Sequence, residues 1–466
     1  MKRQTTRRDF LKKTTLAGLG FWVGTRTAFP QAKSPNDKLN IGIIGCGGKG
    51  YSDMKGCEGE NIVALCDVDE NSGGQARKDH PDAKFYHDFR ELLEKEKVDA
   101  VTVSTPDHMH APISLMAMRM GLHVYCQKPL THLVSEARMM RKVAKEFKVA
   151  TQMGNQGSAE PGLRRAVEVI QSGAIGPVKE VHVWSNRPIW PQGIPNPYPE
   201  EKIPEHLKWD LWLGVAPFRP YNQLYCPFKW RGWWDFGTGA LGDMACHTAN
   251  LPFRALKLEY PTAIEVDLSK CEGRNEQTAP NRSAIKFEFP ARADLPGVQM
   301  PKVAFFWHDG GNKVPLEIVE GLDLTGVQGG KKKKKVEKLV SGDIPGSGCL
   351  IIGEKAKLFS PYDYGSAFKI FPEVDISKVP ETIERLPWGG GDNSMKSEWF
   401  RAIRGGPPAY SNFDIAAFLT EIILLGNLTI RAGKRVEWDG PNMKSPNCPE
   451  VDQFVQPHYR PGYFAG

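Results

Sequence analysis

Ile41-Gly42-Ile43-Ile44-Gly45-Cys46-Gly47-Gly48-Lys49-Gly50, followed by Ile62-Val63-Ala64-Leu65-Cys66-Asp67, decides the fold of this chain. A short apolar strand runs into a glycine-rich turn, and a second apolar run ends on an acid. Gly45 allows a tight turn, Gly47 lets backbone approach a diphosphate, and Gly50 lets the following helix pack closely on its strand. An anion at the start of that helix meets free N–H groups and the positive end of the helix dipole. Asp67 stands at the second strand end, placed to accept hydrogen bonds from an adenosine ribose. Strand, turn, helix, strand and terminal acid in this order indicate a dinucleotide site. Val68, Asp69 and Glu70 follow Asp67 with no adjacent Arg or Lys to neutralise a 2′-phosphate, so NAD is expected over NADP.

Around this unit the pattern alternates. Strands are expected at about 39–44, 61–66, 83–86, 99–104, 122–126 and 149–153, with helices at about 50–59, 89–97, 110–120 and 133–147. Such alternation implies an α/β fold with a doubly wound parallel sheet and right-handed crossovers. Ligands bind these sheets beyond the carboxyl ends of the strands. Those ends read Gly45, Asp67, Ser104-Thr105-Pro106, Gln127-Lys128-Pro129 and Gly154-Asn155-Gln156. Beyond residue 156 comes a helix at 161–173, a strand near 178–186, a Pro- and Trp-rich stretch to 236 and a helix near 243–257. Strands at 262–268, 282–289, 302–308 and 349–359 then suggest a mostly antiparallel sheet, with late helices at 394–404 and 414–425. The expected division is a leader at 1–33, a nucleotide domain at 38–156, an α+β domain at 157–440 and a tail at 441–466.

Thr6-Arg7-Arg8-Asp9-Phe10-Leu11-Lys12 precedes a modest apolar stretch, the pattern of a twin-arginine export signal. No clean small-x-small cleavage site follows, and no later segment reads as long and apolar enough to cross a membrane. Residues 1–33 hold eight Lys/Arg and one Asp, which equals the +7 excess of the whole chain. The remainder is near neutral, so the alkaline pI gives no indication of nucleic-acid binding. Lys331–Lys335 is the one basic run left and reads as a solvated loop. Nine cysteines show no CxxC pair and no zinc spacing, which argues against a disulfide framework.

Taken together, Ile43–Gly50, Ser104-Thr105-Pro106-Asp107-His108-Met109-His110, Tyr125-Cys126-Gln127-Lys128-Pro129-Leu130, Gly154-Asn155-Gln156 and Asp243-Met244-Ala245-Cys246-His247 resemble the glucose–fructose oxidoreductase/inositol dehydrogenase (Gfo/Idh/MocA) family. Leu424-Leu425-Gly426-Asn427 and Glu437-Trp438-Asp439 look like its exported branch. The resemblance implies a Rossmann domain followed by a sheet domain that carries the substrate and often forms homo-oligomers. In the family the motif is usually Glu-Lys-Pro, its lysine reaching the nicotinamide ribose and the substrate. Lys128 matches that lysine, whereas Gln127 replaces the glutamate, which removes a charge that would hold a lysine protonated.

Asp243 and His247 match the family's Asp-x-x-x-His motif, and a spacing of four places both on one helix face. His247 is the candidate base for a hydroxyl proton, with Asp243 positioning it or binding a substrate hydroxyl. A metal bound by Asp243 and His247 with His308 or Asp309 is the alternative. The cofactor-binding set is Gly45, Gly47, Gly48, Lys49, Gly50, Asp67, Ser104, Thr105, Pro106, His108, His110, Gln127, Lys128, Asn155 and Gln156, with His110 expected to border the nicotinamide. Trp184, Trp190, Trp209, Trp212, Trp230, Trp233 and Trp234 crowd one span, seven of the chain's twelve. Indole faces stack on sugar C–H faces, yet most of these are expected in the core and one or two at most on a ligand. Trp307-His308-Asp309-Gly310-Gly311 ends a strand and is a second candidate for the substrate pocket.

Twin-arginine export carries folded proteins, and no pool of free dinucleotide waits outside. The cofactor is therefore expected to stay tightly bound and be restored in each cycle. The reading is an exported, periplasmic or envelope-associated enzyme that oxidises a sugar or cyclitol carbinol. A redox-neutral glycosidase using transient oxidation and elimination is the alternative, and a non-catalytic NAD-bound sensor is disfavoured because Lys128 and His247 are both present.

Overall fold

β1 (Asn40–Ile44), β2 (Asn61–Cys66), β3 (Lys84–Tyr86), β4 (Ala100–Val103), β5 (His123–Cys126) and β6 (Thr151–Met153) form one parallel sheet in the order 3-2-1-4-5-6. This computed structural model describes residues 37–293, 300–319, 322, 344–387 and 389–461. The twin-arginine segment and Lys331–Lys335 lie outside the described residues. Strand order reverses between β1 and β4, so the turn after β1 and the segment after β4 open a crevice at their carboxyl ends. Helices Gly48–Lys55, Gly74–Asp79, Phe89–Lys95, Asp107–Arg119 and Val134–Phe147 make the crossovers. The short helix Gly74–Asp79 escapes the sequence pattern because it opens on Gly73-Gly74, residues poor at starting a helix interior.

A second sheet follows, from β7 (Val178–Trp184), β8 (Ala263–Val266), β9 (Ala284–Phe289), β10 (Val303–His308), β11 (Gly348–Gly353), β12 (Lys357–Pro361), β13 (Lys369–Phe371) and β14 (Val436–Glu437). Its order is 13-12-11-7-10-9-8-14, antiparallel except where β7 lies parallel to β10. The strand expected at 349–359 is two strands, folded back at Glu354-Lys355, where Gly353 N–H donates to Ala356 O at 3.0 Å. The helix expected at 243–257 is also two, Gly239–Thr248 and Asn250–Ala255. Pro252 has no N–H to donate to the Thr248 carbonyl, which interrupts the ladder there.

Parts of the chain beyond residue 156 pack back on the first lobe. Helix Asp392–Ile403 returns to the first sheet, and its Met395, Trp399 and Ile403 share a core with Leu39, Ile41, Ile43 and Tyr125. The tail also folds back: Tyr459 hydrogen-bonds Glu136 on helix Val134–Phe147. Helix Phe413–Ala432 corrects the sequence reading. It has 20 residues and a mean hydropathy of 1.7, long and apolar enough to cross a membrane, yet 83% of its most apolar window is buried inside the fold. It packs against helices Val134–Phe147 and Gly239–Thr248 and against β8, as the central helix of a core.

Candidate active site

One cleft of about 510 Å³ opens above the switch point and runs from Asp67 to His247. It gathers thirteen of the predicted residues: Gly45, Gly47, Gly48, Lys49, Asp67, Ser104, Thr105, Pro106, Gln127, Lys128, Gln156, Asp243 and His247. The glycine-rich turn forms one wall. Gly47 caps helix Gly48–Lys55, whose first N–H groups have no acceptor within the helix. Gly48 has φ +50°, and a Cβ there would meet nothing within 4 Å, so bare backbone faces the cleft. Gly50 lies outside the lining. A Cβ on it would stand 1.6 Å from the Gly45 carbonyl oxygen, which is the close helix–strand approach the sequence calls for. A Cβ on Gly47 would meet Ser72, 2.7 Å away, so this glycine makes room for the loop after β2.

Asp67 closes the turn. Its carboxylate accepts from Gly47 N–H and Asp69 N–H, both at 3.0 Å. Burial pushes its pKa up to about 6, against those two hydrogen bonds. The neighbouring acids are engaged by histidines: Asp69 lies 2.9 Å from His206 and Glu70 3.2 Å from His87.

Lys128, at the end of β5, crosses to the second lobe and donates to Asp243 Oδ1 at 2.6 Å and to the Asp243 carbonyl at 3.0 Å. The absent Glu-Lys-Pro glutamate is thus no loss of counter-charge, because Asp243 supplies the carboxylate across the lobe junction. Burial opposes the charge on Asp243, but Lys128 and Arg231 outweigh it and hold the carboxyl well below the usual range. Arg231 Nε lies 3.3 Å from Asp243 and its Nη1 donates to Asp107 at 2.8 Å. Asp243 makes no hydrogen bond to His247; its carboxylate pairs with Lys128 and Arg231, and of the two expected roles, positioning His247 or binding a substrate hydroxyl, the contacts favour the second.

His247 lines the cleft, edge-on to Tyr364 at 4.9 Å. Burial, then the positive charge of Lys128, depress its pKa well below that of a free imidazole, so the ring is neutral. Its Nδ1 is buried with no hydrogen-bond partner, as are Thr105 Oγ1 and Gln156 Oε1. All three residues line the cleft. Buried polar atoms are rarely left unpaired, and three such atoms belong to residues that line this one cleft.

His108, His110 and Asn155 stand behind the cleft. His110 links two wall loops, with Nδ1 2.8 Å from Pro129 O and Nε2 2.7 Å from Thr105 O. His108 is held between the Trp212 and Phe236 carbonyls, and burial pushes its pKa to about 3. Asn155 accepts from Ser411 Oγ at 2.6 Å and Ser158 Oγ at 3.1 Å, a structural joint. The second pocket candidate also moves away: Asp309 accepts from Trp307 and Ser283, and His308 stacks on His182. Neither lies in the lining, so the metal set of Asp243 and His247 with His308 or Asp309 does not assemble, and among the described residues no other cluster has metal-ligand spacing.

Three indoles line the cleft, Trp190, Trp212 and Trp230. Trp212 and Trp230 also belong to an aromatic core with Trp209, Trp233, Tyr225 and Phe236, of which Trp209 and Trp233 stay out of the lining. Arg187, Arg231, Asp363 and Tyr364 also line the cleft. No local signal marks them, because Arg187, Asp363 and Tyr364 enter from loops and Arg231 from the short 3-10 turn Lys229–Gly232, whose paths the sequence does not specify.

Residues 39–155 match the family model described as "Oxidoreductase family, NAD-binding Rossmann fold", and residues 171–285 match "Oxidoreductase family, C-terminal alpha/beta domain". The chain belongs to the Gfo/Idh/MocA oxidoreductase family. This Gfo/Idh/MocA chain is 36% identical over 154 residues to a glycosyl hydrolase family 109 protein of Solibacter usitatus, a match covering 28% of this chain. It is 34% identical over 152 residues to an inositol 2-dehydrogenase of Burkholderia multivorans, covering 31% of this chain. The matches span 35% and 44% of those proteins' own length. In fold it is similar to the WlbA dehydrogenase of Bordetella pertussis, solved with NADH and UDP-GlcNAcA, with TM-score 0.60 and 14% identity over 87% of this chain and 99% of that one.

Proposed function

We propose that this protein is an NAD-dependent oxidoreductase acting on a CH–OH group of a sugar, sugar derivative or cyclitol. The carrying observation is the single cleft, which joins the glycine-rich turn and Asp67 at one end to Lys128, Asp243 and His247 at the other. The dinucleotide supplies hydride-transfer chemistry when bound. Backbone around Gly47 and Gly48 would hold its diphosphate, Asp67 its adenosine ribose, and Ser104, Thr105, Pro106 and Gln127 the wall nearer the nicotinamide. The carboxylates at Asp67, Asp69 and Glu70 support NAD over NADP, since a 2′-phosphate there would face like charge.

At the far end Lys128 donates to a substrate hydroxyl, and Asp243 fixes the ammonium in place. Neutral His247 is the base, because an unprotonated imidazole can accept the hydroxyl proton. Trp190 and Trp230 offer flat faces to a sugar ring. Lys128 is the alternative base; its Nζ is already turned to the Asp243 carboxylate and carbonyl, which favours His247.

The export signal and the nucleotide site together support a protein that leaves the cytoplasm folded, with its cofactor retained, and works in the periplasm or cell envelope. Self-association rests on the family resemblance alone. Denatured protein should release NAD, and a sugar and cyclitol panel should raise absorbance near ~340 nm in single turnover. Absence of both would end this reading. The likeness to a family 109 glycosyl hydrolase protein favours a second reading, redox-neutral glycoside cleavage. A chromogenic glycoside cleaved with no net NADH would select it.

A further inference from the structure

Asp53, on helix Gly48–Lys55, is fully buried yet accepts four side-chain hydrogen bonds. Lys49 Nζ at 2.9 Å and Lys396 Nζ at 2.8 Å share its Oδ1. Ser104 Oγ and Gln127 Nε2, each at 2.8 Å, share its Oδ2. Three of these donors, Lys49, Ser104 and Gln127, line the cleft. The fourth, Lys396, lies on helix Asp392–Ile403, is 1% exposed, and sits 3.2 Å over the Tyr125 ring.

At Asp53 itself the charges do not cancel, and Asp392, beside Lys49, supplies the balancing carboxylate. Asp53 carries one negative charge and meets two ammonium groups. Lys396 is buried, and among the described residues its one carboxylate partner is Asp53, so it must take that charge. Lys49, which also meets Asp53, pairs with Asp392 at 3.1 Å. Lys49 side chain is 36% exposed and stands in the first turn of the glycine-loop helix, where an anion is also favoured by the helix dipole.

We propose that the buried Asp53–Lys396 pair is a positioning device: Lys396 neutralises Asp53 from below, which leaves the Lys49 ammonium available to a ligand diphosphate while Asp53 fixes Ser104 and Gln127. This rests on the cofactor assignment above and extends it to a segment some 340 residues away in sequence. Gln127 gains a reason as well. A glutamate there would set a second carboxylate against Asp53, whereas the amide donates to it.

The test titrates full-length protein with ADP, which bears the diphosphate, and with adenosine, which does not. Lys396→Met should leave Asp53 to Lys49 alone, draw that ammonium inward and weaken ADP about tenfold or more, with adenosine changed by less than about twofold. In a Lys49→Met background the same substitution should have no further effect on ADP. Equal losses for ADP and adenosine, or no loss for either, would overturn the proposal. Should Lys396→Met fail to fold, Asp392→Asn decides: releasing Lys49 from that pair should tighten ADP several-fold, and unchanged or weaker binding overturns the idea. Wild-type protein that binds ADP but turns over no sugar removes the functional reading and leaves this one standing, whereas wild type that binds neither ADP nor NAD removes both.

Discussion

The two ends of the cleft are built by different means. At the nucleotide end the ligand-facing groups are backbone: a bare turn at Gly47-Gly48, the start of a helix, and an acid that itself grips the turn through Gly47 N–H. At the substrate end they are side-chain charges brought from far apart, with Lys128 and Asp243 separated by 115 positions and joined at 2.6 Å. A backbone site depends on local conformation and tolerates little change in shape. A charge site depends on the docking of two lobes and tolerates shape change better than loss of one partner.

The sharpest way to break this contrast is at Gly50. Gly50→Ala would drive a methyl into the Gly45 carbonyl. Overpacking of this kind should cost about 3 kcal/mol or more, read as a large fall in Tm together with loss of nucleotide binding. A fully stable variant would mean that the turn is not the rigid element described here.

The substrate end should respond in rate instead. His247→Ala should lower kcat by about 10²-fold or more while NAD affinity, measured by fluorescence titration, stays unchanged. Unchanged turnover would remove His247 from the chemistry. Because burial keeps the ring neutral, no loss of kcat from imidazole protonation is expected between about pH 6 and 8, where a free histidine titrates.

Asp67 gives a pH test of the nucleotide end. Burial places its carboxyl pKa at about 6, and the ionised form accepts ribose hydroxyl hydrogen bonds more strongly than the protonated form. As pH falls through 6 the carboxyl takes up a proton and NAD affinity should drop by up to about tenfold per pH unit. Above that value affinity should be flat. Asp67→Asn should bind more weakly at pH 7 and lose the pH dependence, and a dependence that persists would assign it to another group.

The smallest effect is expected at Gly48. Gly48→Ala meets no atom, so its cost is the left-handed conformation alone, about 1 kcal/mol. A small fall in Tm with measurable nucleotide binding would separate conformational strain at Gly48 from steric exclusion at Gly50.

Legibility followed the same division. The six parallel strands could be read because apolar runs, glycine turns and terminal acids are local signals. The hairpin at Glu354-Lys355 and the break before Pro252 escape a sequence reading because each interruption is only a residue or two long, between segments of the same periodicity. His110 and Asn155 were assigned to the cofactor from motif position. They instead hold the wall from behind, since a histidine or asparagine at a strand end can turn to face backbone carbonyls as easily as a ligand.

By itself the sequence determined the nucleotide half of this protein: a strand, a turn that admits only glycine at its closest approach, and an acid at a fixed distance suffice to specify a diphosphate cradle. Only the tertiary structure decided that Asp243 belongs to Lys128 and Arg231, that His247 stands neutral and unpaired, and that Lys396 reaches under the glycine turn to Asp53. Ion pairing and desolvation depend on which distant groups share a buried volume, and no local pattern records that.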